Sequence, residues 1–160
     1  MTTKQLLKKC QIFAALNDSE LEKIVGFVSE KQYDAGTTIF QEGDSAEELM
    51  ILQEGKIAGQ MTLSSSDQGT ARRITVDVID PNEVIGWSAL VEPYTYTLTA
   101  VCLEKVKVVA IPASKLRRLL QDDPRVGYEV VRGLIRVVAS RLDDTRKVLV
   151  SERFLPSRTV

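Results

Sequence analysis

Histidine is absent from this 160-residue sequence. Without an imidazole, every triad built on a histidine base is excluded, and so are the commonest zinc and haem ligand sets. Cysteine is scarce: Cys10 and Cys102 stand far apart with no C-x-x-C spacing, so neither a disulfide framework nor a thiolate metal cluster is expected. Both read as inert small residues, with redox sensing by either as the alternative, favoured slightly for Cys10 by Lys8 and Lys9 beside it. No apolar run nears the ~20 residues of a membrane span. The opening MTTKQLLKKCQ also lacks the apolar core and cleavage site of a signal peptide. A cytoplasmic protein without membrane contact is expected. A charge excess is missing as well: 21 Lys and Arg face 22 Asp and Glu, a net charge of −1 that offers nucleic acid no attractive field.

What is present is the composition of one ordinary globular domain, 44% hydrophobic and 27% charged. Over residues 2–28 apolar positions recur at helical spacing, and Asn17-Asp18-Ser19 with Glu20 behind it interrupts them with N-cap chemistry, so two short helices are predicted. The pattern then turns to short β-rich runs at 37–41, 49–53, 56–63, 72–79, 96–103 and 105–111. Turn signals such as Ala35-Gly36, Glu42-Gly43-Asp44, Glu54-Gly55, the polar loop 64–69 and Asp80-Pro81-Asn82 separate them. Strands at that rhythm imply an antiparallel β-barrel or jelly roll. Helical spacing returns at Leu116, Leu119 and Leu120; Asp123 and Pro124 then read as N-cap and first-turn residue of a last, long helix. The expected chain is mainly β with flanking helices: one domain over 1–152, with helices in 2–28, a barrel over 33–111, C-terminal helices over 113–152 and a tail at 153–160.

The run YDAGTTIFQEGDSAEELMILQEGKI, residues 33–57, resembles the first half of a cyclic nucleotide-binding domain, the sensor of catabolite-activator and FNR-like regulators, kinase regulatory subunits and gated channels. The order of elements extends the resemblance over about nine tenths of the chain. In that family a Gly-Glu-x-Ala-Leu turn and short helix, followed by an Arg, form a phosphate-binding cassette. Helix-terminal amides and the Arg hold the cyclic phosphate, while the Glu accepts from the ribose 2′-hydroxyl. The corresponding stretch here is VIGWSALVEPYTYTLTAVC, residues 84–102, in which Gly86, Ala89 and Leu90 match the frame. Trp87 stands where the Glu is expected, and the Arg slot falls on Tyr94 or Thr95. From 78 to 104 there is no Lys or Arg at all, while Asp80, Glu83, Glu92 and Glu104 are acidic. A missing charge-assisted contact of ~1.5–3 kcal/mol weakens binding by roughly 10- to 100-fold. Ordinary cAMP or cGMP affinity is therefore not expected; its rescue would have to come from Arg72 or Arg73 folding over the pocket, from the hydroxyls of Ser88, Thr95 or Thr97, and from amides around Trp87 to Ala89.

The resemblance therefore implies a candidate ligand site at Gly86, Trp87, Ser88, Ala89, Leu90, Tyr94, Thr95 and Thr97, taking a cyclic nucleotide or another small planar ligand. Trp87, Tyr94 and Tyr96 crowd one ten-residue window, and they either stack such a ligand, plug the site, or pack as ordinary core. On the last helix Tyr128, Val131, Ile135, Val138, Leu142, Thr145 and Leu149 are spaced 3-4-3-4-3-4, with Val130, Leu134 and Val137 as a second stripe. Val131, Ile135, Val138, Leu142 and Leu149 are the expected dimer seam, burial of both faces within one domain being the alternative. Residues 115–158 hold 11 basic against 6 acidic side chains, which reads as a solvated helix surface. The relatives' helix-turn-helix would need a further domain, so no DNA-binding domain is expected in this chain. Paired acids such as Glu47-Glu48 and Asp122-Asp123 read as turn and cap residues, and no enzyme is expected. The sequence thus predicts a stand-alone sensor or regulatory module, a homodimer with a possible protein partner. The alternative is a degenerate domain that only associates with other proteins.

Overall fold

The computed structural model describes residues 1–64 and 71–154. Helix α1 (Thr3–Lys9) and helix α2 (Asp18–Val25) both begin with reciprocal capping boxes. Asn17 Oδ1 accepts from the Glu20 N–H at 2.9 Å, and Glu20 Oε1 accepts from the Asn17 N–H at 2.9 Å. Eight strands follow: β1 (Ser29–Tyr33), β2 (Thr38–Phe40), β3 (Glu48–Glu54), β4 (Ile57–Ser64), β5 (Ala71–Ile79), β6 (Val84–Ile85), β7 (Thr99–Cys102) and β8 (Val106–Pro112). A single 3-10 turn (Trp87–Leu90) lies between β6 and β7, and helices α3 (Ala113–Asp122) and α4 (Pro124–Phe154) close the chain.

The strands form two antiparallel four-stranded sheets, β1-β8-β3-β6 and β2-β7-β4-β5. The mainly β jelly-roll architecture expected from the strand rhythm is the one observed. The central strands of the first sheet, β3 and β8, are buried on both faces. Along β3, Leu49 and Ile51 turn toward the helices, while Met50 and Leu52 enter the space between the sheets; Val109 and Ile111 against Val108 and Ala110 do the same along β8. Two cores on either side of one sheet explain why β3 and β8 read as continuous apolar runs instead of alternating ones.

Several details depart from the sequence-based expectation. The sheet begins at Ser29, because the polar segment SEKQY forms an edge strand held by its antiparallel ladder to β8. The strand expected from 96 starts at Thr99, since Thr95 instead bridges to Ser45 and the Tyr96 N–H donates to the Asp44 carbonyl at 2.9 Å. Helix α4 runs through Phe154, past the expected tail boundary at 153. The polar loop 65–70 and the tail beyond 154 lie outside the described residues.

Helix α4 starts as its sequence suggests, with Asp123 Oδ1 accepting from the Val126 N–H at 3.3 Å. Its inward stripe, Val126, Val130, Leu134 and Val137, is buried against the domain. Its outward stripe stays exposed: Tyr128, Val131, Ile135, Val138, Leu142 and Leu149. Only one of the two apolar faces is satisfied within the described chain. No helix among the described residues is long and apolar enough to cross a membrane.

Candidate functional site

The site is organised by a backbone turn that only glycine adopts without strain. Gly86 has φ +78°, and a Cβ there would stand 3.0 Å from Tyr96 Cε1 and 3.1 Å from the Glu48 carbonyl oxygen. This turn delivers Trp87 and Ser88 to one wall of a cavity of about 50 Å³. Ile57, Gly59, Asp77 and Ile79, from the paired strands β4 and β5, form the opposite wall. Phe40 and Tyr96 close the back with stacked rings, centroids 3.7 Å apart and planes within 12°. The Tyr96 hydroxyl is fully engaged: it donates to the Glu48 carbonyl at 2.6 Å and accepts from the Glu48 N–H at 3.2 Å.

Of the eight candidate ligand residues, Gly86, Trp87, Ser88 and Thr97 line this cavity and the other four do not. Ala89 and Leu90 belong to the helix-facing core. Tyr94 turns into a separate groove, where Arg117 lies over its ring at 4.0 Å and donates to the Ala89 carbonyl at 3.0 Å. Thr95 is tied to Ser45. The reason is the pairing of 94–96 with 44–46, in which the Tyr94 carbonyl accepts from the Ala46 N–H at 2.7 Å and folds the segment away from the cavity. Arg72 and Arg73 are exposed on β5 and line no part of it. The amide contribution is curtailed too. The segment after Gly86 is a four-residue 3-10 turn, and the Ala89 N–H already donates to the Gly86 carbonyl at 3.0 Å.

One charged pair that sequence reasoning missed governs the site. Arg141 of α4 reaches the cavity wall, where it is ion-paired to Asp77 and donates to Glu83 Oε2 at 3.2 Å. Its guanidinium stands 5.6 Å from the centre of the Trp87 ring. The side chain is only 17% exposed. Burial lowers its pKa and Asp144 raises it, yet a guanidinium stays protonated throughout the physiological range. Glu83 is held above the usual carboxylate range by its own burial and by Asp80. Among the described lining residues Asp77 and Arg141 are the only charged groups, and the remaining surface is mainly apolar. A signal for Arg141 existed: position 141 continues the inward stripe 126, 130, 134, 137 by one more turn, so a charged residue there must meet the domain.

Comparison with known proteins agrees with this geometry. The cyclic nucleotide-binding domain family matches residues 30–123. A CRP-like cAMP-activated global transcriptional regulator of Mycobacterium tuberculosis is 24% identical over 145 residues, covering 91% of this chain. The chain spans only 61% of that relative's length. Among solved structures, a candidate cyclic nucleotide-binding protein from Geobacter metallireducens GS-15 superposes with a TM-score of 0.74 at 30% identity, over 89% of this chain and 99% of that one. The N-terminal domain of a transcriptional regulator from Streptomyces coelicolor follows at 0.69 and 30% identity, over 87% and 94%. The family match over more than half the chain, the glycine-led turn after β6 and the docked C-terminal helix together show that this chain belongs to the cyclic nucleotide-binding domain family.

Proposed function

We propose that this chain is a regulatory sensor module that works as a homodimer through the outer stripe of α4, and that its pocket has exchanged ordinary cyclic-nucleotide recognition for a different small ligand. The observation that carries this reading is the commitment of Arg141. It is the only cation among the described residues lining the cavity, and Asp77 and Glu83 already neutralise it. A cyclic phosphate arriving there would find two carboxylates and, among the described lining residues, no free positive charge. Trp87, in the cassette's glutamate position, offers a ring where the family's ribose contact needs an acceptor. The M. tuberculosis relative is named for activation by cAMP; this chain's pocket chemistry argues against carrying that ligand over.

The second reading, a domain that only associates with proteins, is favoured by the stacked Phe40 and Tyr96 rings, which occupy the back of the cavity with the protein's own side chains. Thermal unfolding with millimolar cAMP, cGMP and cyclic dinucleotides, and 5′-AMP as control, tests the loss of nucleotide recognition. A ligand binding only the folded state at 100 times its Kd stabilises by about 2.7 kcal/mol, which a melting curve resolves. No cyclic-nucleotide-specific rise is expected. Such a rise would overturn the reading.

A further inference from the structure

The cavity and a second, polar groove of about 340 Å³ meet at one side chain, Arg141, which lines both. On the cavity side its anion is Asp77; on the groove side it donates to Glu83, and Asp144, Lys9 and Ser140 line the groove with it. The guanidinium therefore has acidic partners in two directions and space in one of them. We propose that Arg141 is a gate with these two docks, and that the cavity behind it takes a flat, apolar organic cation whose charged group replaces the guanidinium on Asp77. The proposal rests on the reading above, that the cyclic phosphate is no longer the ligand.

Size sets the first condition. A volume of about 50 Å³ is about a third of the roughly 150 Å³ of a cavity that takes up benzene, so a ring enters only when the Arg141 side chain withdraws. Charge sets the second. Once Arg141 turns to Glu83 and Asp144, Asp77 is the one charged group left among the described lining residues, with the rings of Trp87, Phe40 and Tyr96. A carboxylate facing aromatic surface favours an organic cation. An acid would place like charge against Asp77. The consequence reaches the helix. Arg141 is the last partly buried residue of α4 among those whose burial is described, and residues 142–153 are exposed throughout. Ligand uptake thus acts on the contact at which α4 leaves the domain, a condition for shifting the population of helix positions.

The experiment uses the whole chain with benzamidine as the flat cation, benzoate as its anionic counterpart and cAMP, read by thermal shift and calorimetric Kd. Benzamidine is expected to bind and benzoate not to. Arg141→Ala should tighten benzamidine by about tenfold or more, because no gate remains to be displaced. Asp77→Asn should abolish binding. Should Arg141→Ala not fold, Arg141→Met keeps the apolar stem without the charge and is expected to tighten binding likewise. Preference for benzoate, lost on removing Arg141, would make it an anion receptor and overturn the gate; loss of benzamidine binding in the folded Arg141 variants would overturn it as well. Absence of benzamidine binding in every folded variant would also overturn it, leaving the reading above in place. A cAMP-specific shift would instead remove that reading, and the gate with it.

Discussion

Gly133 of α4 lies directly against the backbone of Ile12: a Cβ built on it would stand 2.8 Å from Ile12 Cα and 2.7 Å from the Gln11 carbonyl oxygen. This is where α4 docks onto the segment between α1 and α2. All three of the nearest atoms are backbone, so no side chain can move aside to make room. Gly133→Ala gains about 1 kcal/mol of helix propensity, but overpacking costs about 1–3 kcal/mol. A net loss near 1 kcal/mol is expected in urea unfolding. A raised midpoint would mean that the helix lifts away without penalty.

Tyr96 provides a pH test. Its hydroxyl satisfies both backbone groups of Glu48, so Tyr96→Phe should cost about 1–3 kcal/mol at pH 7 while keeping the stack on Phe40. Burial holds the Tyr96 pKa above its ordinary value near 10, with the charges of Glu48, Glu47 and Asp44 adding to it and the hydrogen bond with the Glu48 backbone opposing. A raised folded-state pKa means stability fully present below pH 10 and lost as pH rises through the folded value. The advantage of the wild type over Tyr96→Phe should therefore shrink above pH 10. A gap that stays constant or widens would contradict this.

How much of this was legible in the sequence depended on whether a local pattern recorded the contact. Strands β3 and β8 declared themselves, because a sheet buried on both faces leaves an uninterrupted apolar run. Strand β1 did not, since SEKQY is a polar edge segment whose order comes from backbone pairing alone. The cassette frame points to Gly86 and Trp87, which line the cavity. The frame alone does not show that Tyr94 and Thr95 turn away from this cavity, because their course is set by pairing with a segment about fifty residues earlier. Arg141 lies outside the cassette altogether, on a helix whose charged residues read from sequence as a solvated surface.

The cysteines should be silent in the native state. Burial pushes the Cys10 thiol up to about 11, against the pull of the Ile12 and Phe13 amides, and burial also raises Cys102. The neighbouring Lys8 and Lys9 thus do not create a thiolate. At pH 8 the ionised fraction of Cys10 is about a thousandth, against about a quarter for an ordinary thiol, so labelling should slow by at least roughly two hundredfold. Quantitative labelling by a disulfide reagent is expected only in denaturant. Rapid native-state labelling would restore the redox alternative.

The two faces of α4 separate dimerisation from folding. Leu134 is 7% exposed and packs into the helix-facing core, whereas Val138, one turn along, is 40% exposed and Leu142 is 48% exposed. A glutamate at 134 would bury an unpaired charge, so Leu134→Glu should unfold the protein. A glutamate at 138 or 142 meets only solvent in the single chain, and surface changes of that kind stay within about 0.5 kcal/mol. In a helix pair it would fall in the apolar seam with Val131, Ile135 and Leu149, where a charge has no partner. Sedimentation should accordingly show a dimeric wild type and folded monomers for Val138→Glu and Leu142→Glu. An unchanged dimer in both variants would place the interface elsewhere on the domain, and the exposed stripe of α4 would then need a different partner.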